Sequence, residues 1–385
     1  MVFLIFRFFK ISNFHVSIFG LVVIWWSLWW SEWWSRMAVE NDGRRTMELK
    51  YTSRSLRRRR NTNQWECSLS HTDPVTGEMS CTYHTITGKT RKVERLLDLL
   101  DEMERHPTLK RKLAPHGGTA INLFMLDVPR LSVDIDVSYI GSVSREGMLA
   151  DRPHVEDGIE AVAQAQGYAV EAHPGGHAGR TFLLRYRGDW GVDHVKVDCI
   201  YMNRSPILQP VLREAPVRPG TMVRTLADAE LAAGKVKAFF DRVKVRDLYD
   251  ISNLKGVYET LEPGEQERAH RLALYYASLS ACFPKPFEGR EQRFADRLSE
   301  LADQLYPMLR SSIEHPTLEA LMEDAKRFVA DWILPKTDRE REYLERLAAG
   351  DYRPELVFQD ESMAKAAAVN PEALWKLENL RKIPR

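Results

Sequence analysis

Charge of one sign is not in excess in this chain of 385 residues: Lys and Arg number 55 and Asp and Glu 54, a net charge of +1. That excludes a globally basic nucleic-acid coat and an acidic solvating tail, so contact with nucleic acid has to come from local patches. Cysteine is scarce. The four, at positions 67, 81, 199 and 282, are too few and too scattered for a disulfide framework, and a reducing compartment is the default. Glycine and proline, 21 and 19, hold ordinary shares, which excludes collagen and long low-complexity disorder. No internal repeat of fixed period is visible. What is there, 44% hydrophobic and 28% charged residues, suits a sizeable core and about two domains.

The first 36 residues differ from the rest. Six of the ten Trp fall between residues 25 and 34, and from Ile11 to Ser31 there is no Asp, Glu, Lys or Arg. Such a run is long enough for a membrane-spanning helix, which needs about 20 residues, with Trp at one end and Arg36 beyond as interfacial flanks. A cleaved signal peptide fits less well, because no small-residue cleavage site follows. The other reading is that translation starts downstream, at Met37, Met47 or later, and residues 1–36 are flanking sequence. Residues 37–91 read as a basic, poorly ordered segment, with Arg57 to Arg60 in one run. Cys67, His71, Cys81 and His84 lie within it at spacings that match no common zinc finger, so a polar surface segment with reduced thiols is expected there.

From about Lys92 the periodicity sharpens. VERLLDLLDEMER places Val93, Leu96, Leu97, Leu99, Leu100 and Met103 on an apolar helical stripe. Gly117 and Gly118 then break the pattern, with Thr119 as a candidate N-cap for a short buried helix, AINLFML. Leu131 to Ile140 alternate as a strand, Val133, Ile135 and Val137 to one side and Ser132, Asp134, Asp136 and Ser138 to the other. Residues two apart on a strand lie about 6.5–7 Å from one another on one face. Asp134 and Asp136 therefore present two carboxylates to one place, where they repel each other and raise a pKa unless a cation sits between them. Paired divalent ions would relieve that repulsion and suit phosphoryl transfer. A Gly-Gly turn opening a helix exposes backbone N–H groups that can cradle phosphate oxygens. Residues 181–187 and 193–202 read as two further strands, and Asp198 in the second is a candidate third carboxylate. Farther on, LADAELAAGKVKAFFDRVKVRDLYDISNL reads as one long helical segment in which Lys235, Phe239 and Arg242 share a face, with Arg246 and Asp250 spaced as an i,i+4 ion pair.

These motifs carry a resemblance. The run HGGTAINLF…PRLSVDIDVSYI, followed by VKVDCIY and LAAGKVKAFFDRVKVRDLYDI, resembles the AbiEii/AbiGii-type nucleotidyltransferase toxins of the DNA polymerase β-like nucleotidyltransferase superfamily. It extends from about residue 92 to the C-terminus, where ALWKLENLRKI is similar to that family's terminal helix. The resemblance implies that Gly117, Gly118 and Thr119 form the nucleotide-phosphate turn, with Ser132 facing the phosphates. Asp134 and Asp136 become ligands of Mg²⁺ in a two-ion site, Mn²⁺ being the alternative, with Asp198 as a looser third ligand. Lys235 binds nucleotide phosphate, and Arg242, Arg246, Asp247 and Asp250 complete the pocket, Asp250 among the catalytic residues.

The chain's own pattern sets the expected fold, and the resemblance the activity and partners. The implied architecture is an α/β (α+β) nucleotidyltransferase core with a short mixed sheet, residues 92–225, then an all-helical domain, residues 226–385, closing one side of the cleft. Helices are expected over 265–283, 290–309, 317–334 and 338–350, with proline-containing breaks between them. The implied activity is transfer of a nucleotide from an NTP to an acceptor, in some members RNA at the 3′ end of tRNA. A toxin of an abortive-infection, phage-defence type would have an antitoxin encoded nearby, with no stable complex required. The expected location is the cytoplasm, or the inner membrane if residues 11–31 are an anchor. Two other classes stay open: a GTP- or NTP-binding sensor without transfer, and a membrane-tethered interaction protein.

Overall fold

The computed structural model describes the backbone of residues 51–58, 64–72, 79–87, 89–126, 128–173, 175–188, 191–310 and 312–382, and side chains from residue 92 onward. The Trp-rich residues 1–36, and with them the anchor and the translated-flank readings, lie outside the described residues. Among those described, no helix is long and apolar enough to cross a membrane.

The chain divides into two compact units, up to Thr87 and from Gly88 onward. Within the segment expected to be poorly ordered, the first unit carries an antiparallel three-stranded sheet in the order β1 (Tyr51–Arg58), β2 (Gln64–Thr72), β3 (Met79–Thr87). Recurrent β-branched and aromatic residues, among them Tyr51, Trp65, Thr82, Tyr83, Thr85 and Ile86, favour extended chain despite the basic composition. Cys67 and His84 are register partners across β2 and β3; the side chains of the Cys/His group lie outside those described.

The second unit opens with α1 (Lys89–Arg105), whose Leu96, Leu97, Leu99, Leu100 and Met103 are buried as the stripe predicts. A five-stranded mixed sheet follows in the order β4-β5-β8-β7-β6, from β4 (Leu113–His116), β5 (Asp134–Tyr139), β6 (Ala169–Ala172), β7 (Gly179–Gly188) and β8 (Gly191–Ile200). Only β5 and β8 run parallel; the other neighbours are antiparallel. Two further helices belong with α1 to this half, α2 (Gly117–Phe124) between β4 and β5, and α3 (Arg145–Ala165) between β5 and β6. A separate hairpin, β9 (Val211–Ala215) and β10 (Arg218–Thr225), leads into the helical half.

That half comprises α4 (Asp228–Asp241), α5 (Val245–Glu259), α6 (Pro263–Ser278), α7 (Leu318–Trp332), α8 (Asp338–Ala348), α9 (Glu361–Ala368) and α10 (Pro371–Arg381). Local chemistry sets several boundaries: Thr317 caps α7, and Thr337 with Glu340 forms a capping box at α8. Two expectations need correcting. The segment 226–254 is two helices, not one, because the chain is extended at Arg242 (φ −135°, ψ 169°). Residues 290–309 are not one regular helix: a 3-10 turn over Arg290–Phe294 is followed by an irregular helical run over 298–308 that passes from α through π to 3-10 geometry. Leu131 N–H donates to Met308 O at 2.7 Å and Arg310 N–H to Pro129 O at 3.0 Å, so backbone pairing with a distant loop takes the place of helical bonds. The sheet half and the helical half each have an apolar core, the first around Ile135, Val137, Phe182, Val195 and Val197, the second around Phe239, Leu248, Leu272 and Phe328.

Candidate active site

Strand β5 buries Ile135 and Val137 and turns Asp134 and Asp136 to the opposite face. Its two neighbours complete the acidic end of the site. Parallel β8 sets Asp198 opposite Asp136 and Lys196 opposite Asp134; antiparallel β4 sets His116 opposite Asp136. The chain leaves β4 at Gly117, with φ +72°, and enters α2 directly. A Cβ at Gly117 would run into Asp136 Oδ2, so both the left-handed backbone and the missing side chain are required there. At Gly118 a Cβ would lie 2.9 Å from an Arg130 guanidinium nitrogen, 3.1 Å from Ser132 Oγ and 3.8 Å from Lys235 Nζ. Thr119 is not the N-cap. His116 holds that position, and the Thr119 hydroxyl, one turn in, donates to the Asp134 backbone carbonyl, pinning the turn to β5.

Burial, followed by repulsion from Asp198 and Asp134, pushes the Asp136 carboxyl up to about 6. That shift marks negative charge in need of a cation, and carboxylate oxygens are the donors that hard divalent ions prefer. Asp134 and Asp136 thus fit a metal. Asp198 is committed elsewhere: Lys196 Nζ lies 2.7 Å from its Oδ2, and Thr181 Oγ1 donates to its Oδ1 at 2.6 Å. Among the described residues, no group of three or more His, Cys, Asp or Glu is gathered so as to hold a metal ion.

Beside the glycine turn lies a buried ionic network. Lys235, on α4, contacts Asp247 Oδ1 at 3.0 Å and Asp250 Oδ2 at 2.8 Å, both on α5. Arg130 grips Asp250 with two bonds, 2.7 and 2.6 Å, and Arg242 grips Asp247 with two, 2.6 and 3.0 Å. Three cations against two carboxylates leave one positive charge next to Gly118. Lys235 holds the Asp247 carboxyl down at about 2 against its burial, with Arg242 adding to the effect, and Lys235 and Arg130 together depress Asp250. Asp250 therefore does not form the i,i+4 pair with Arg246 that its spacing suggests, because buried partners outcompete a half-exposed neighbour.

A cleft of about 240 Å³ collects His116, Gly117, Gly118, Asp136, Gly234, Lys235 and Arg242, and Asn203, Asn370 and Glu372 also line it. Of the residues singled out by sequence, Thr119, Ser132, Asp134, Asp198, Arg246, Asp247 and Asp250 are not among its lining. Asp250 and Asp247, 0% and 1% exposed, lie beneath it as supports for Lys235. Sequence reasoning missed His116, Arg130 and Glu372. His116, which directly precedes the Gly-Gly pair, was findable from its position. Burial pushes its ring down to about 4, and its Nε2 is buried without a hydrogen-bond partner. Arg130 meets an acid 120 positions away, and Glu372, on α10, ion-pairs with Lys237 at 2.9 Å. Neither contact has a local sequence signal.

The family described as nucleotidyl transferase AbiEii toxin, type IV TA system, matches residues 98–331. No curated protein matches the chain. Among solved structures, MenT4, a nucleotidyltransferase toxin from Mycobacterium tuberculosis, is similar at 16% identity and a TM-score of 0.41, over 74% of this chain and 94% of that one. JHP933 from Helicobacter pylori is similar at 14% identity and a TM-score of 0.40, over 69% of this chain and 97% of that one.

Proposed function

This chain belongs to the AbiEii nucleotidyltransferase toxin family of type IV toxin–antitoxin systems, and from that premise we propose that it transfers a nucleoside monophosphate from an NTP to the 3′ end of a tRNA. Membership makes it a nucleotidyltransferase, with an NTP as substrate and a cognate antitoxin as counterpart. The tRNA acceptor, the dependence on Mg²⁺, the cytoplasmic location and a role in phage defence are parts of the proposal.

One observation carries the reading: a turn without side chains, Gly117–Gly118, lies between the Asp136 carboxylate and the Lys235 ammonium. A triphosphate over that turn meets backbone N–H groups at the start of α2. Lys235, with the surplus positive charge of its network, offsets charge that builds on the leaving pyrophosphate. Arg242, whose side chain is 58% exposed, reaches the cleft from the helix break and adds a second cation. Mg²⁺ held by Asp134 and Asp136 would supply the charge that activates an acceptor hydroxyl and neutralises phosphate oxygens. Arg130 and Asp250 keep Lys235 aimed, since an ammonium tied to two fixed carboxylates loses little entropy when substrate arrives. Glu372 and Asn370 bring the start of α10 against the cleft.

The test uses the purified full chain, Mg²⁺, each α-labelled NTP in turn, and total bacterial tRNA. Label on RNA that disappears with Asp136→Ala supports the proposal. Measurable NTP binding without any labelled RNA overturns the tRNA acceptor.

A further inference from the structure

Four side chains meet on one face of the sheet where β5 and β8 run side by side: Asp134 and Asp136 from the first strand, Lys196 and Asp198 from the second. The parallel register interleaves one ammonium with three carboxylates. Lys196 Nζ is 2.7 Å from Asp198 Oδ2, and Asp134 and Asp136 also act on it through space. From β7, Thr181 takes the remaining oxygen of Asp198. Among the described residues, the Asp134 and Asp136 side chains accept no hydrogen bond, so two carboxylates are open and the third is filled.

We propose that Lys196 is a built-in cation of this acidic site, occupying through Asp198 the place of a second divalent ion, so that the chain alone binds one such ion, at Asp134 and Asp136. The inference rests on the metal-dependent reading of the site. Charge supports it: three carboxylates and one ammonium leave two negative charges, which a single divalent ion matches. Coordination supports it as well. A protonated lysine has three donors and no lone pair, so it can bind a carboxylate oxygen but cannot share a metal with it. While Lys196 holds Oδ2 and Thr181 holds Oδ1, each Asp198 oxygen already has one lone pair engaged, and an ion closing on Oδ2 would have to approach beside the Lys196 ammonium, which repels it. A second ion in the working enzyme would then have to arrive on the triphosphate, held by phosphate oxygens rather than by the protein.

The count of ions bound without nucleotide decides the matter. The full chain is titrated with Mn²⁺ and free ion is followed by its electron paramagnetic resonance signal, with Asp134→Asn/Asp136→Asn as the background. Wild type is expected to hold one Mn²⁺ above that background. Lys196→Met, nearly the same shape without the charge, is expected to hold two, with the first binding roughly tenfold tighter for loss of a nearby positive charge. Lys196→Met/Asp198→Asn should return to one, which separates the freed ligand from the lost charge; Lys196→Gln provides a second neutral variant if methionine perturbs folding. Two ions on wild type, or one on both neutral variants, overturns the inference while leaving the metal-dependent reading intact. No ion on wild type overturns that reading and the inference together.

Discussion

Replacing Asp250 with Asn removes one negative charge from a buried ionic cluster. Asp250 is 0% exposed, and its partners Arg130 and Lys235 have side chains 3% and 4% exposed. Both carboxylate oxygens are bonded, to Arg130 at 2.7 and 2.6 Å and to Lys235 at 2.8 Å. After the substitution, three cations face Asp247 alone. Removing one partner of a buried pair costs about 3–5 kcal/mol, whereas an exposed pair is worth about 0–1. The amide keeps the shape and can still accept from Arg130, so the lower end, about 3 kcal/mol, is expected. In urea, at a slope of about 3 kcal/mol per molar, the unfolding midpoint should fall by about 1 M. Arg130→Met added to Asp250→Asn should cost less than the sum of the single changes by about 1–3 kcal/mol, since each leaves the other without its partner. NTP affinity should fall too, because Lys235 loses one of its two anchors. A loss of stability under about 1 kcal/mol, with full additivity, would refute the argument that this cluster is desolvated and coupled.

Other expectations follow from the same geometry. The Asp136 carboxyl sits at about 6, above its unfolded value of 3.8, so its folded charge is unfavourable, and stability present below pH 4 is lost as pH rises through 6. Asp136→Asn should therefore be more stable than wild type at pH 8, by about 1–2 kcal/mol for a partly exposed group, and equal to it at pH 3.5; thermal melts of metal-free protein at the two pH values check this. The opposite sign holds for Asp247, depressed to about 2: its contribution is complete above 3.8 and should fade as pH falls towards 2, which acid titration of Asp247→Asn against wild type would reveal. Gly234→Ala puts a methyl where no atom lies within 4 Å, inside a helix and on the cleft wall. It should raise stability by up to about 1 kcal/mol while raising KM for the NTP. Gly117→Ala should do the reverse of that in stability and abolish transfer, since its methyl meets Asp136 at a positive φ; steady-state kinetics beside urea melts separates the two glycines.

Several parts of this molecule were legible in the linear pattern because they are written in short periods. The stripe of α1, the alternation that aims Asp134 and Asp136 together, the strands over 181–187 and 193–202, and the capped helices α7 and α8 all obey local rules. Where a distant partner competed, local reading failed. The 290–309 segment has helical composition, yet its end pairs with Pro129 and Leu131. Arg242 has helical spacing from Lys235, yet it caps a helix and clamps Asp247.

The sequence by itself determined the pieces of chemistry: two carboxylates on one strand face, a side-chain-free turn before a helix, a lysine after Gly234. Tertiary structure alone decided their company. The parallel register of β5 with β8 made Asp198 the neighbour of Asp136 but gave its oxygens to Lys196 and Thr181. Burial placed Asp250, one of the residues expected to be catalytic, between Arg130 and Lys235 rather than on the cleft lining. Periodicity fixes which way a side chain points, because that depends on a few bonds of backbone. Which charge it meets there depends on tertiary contacts, between strands for Asp136 and Asp198 and across 120 positions for Arg130 and Asp250, and no local spacing encodes them.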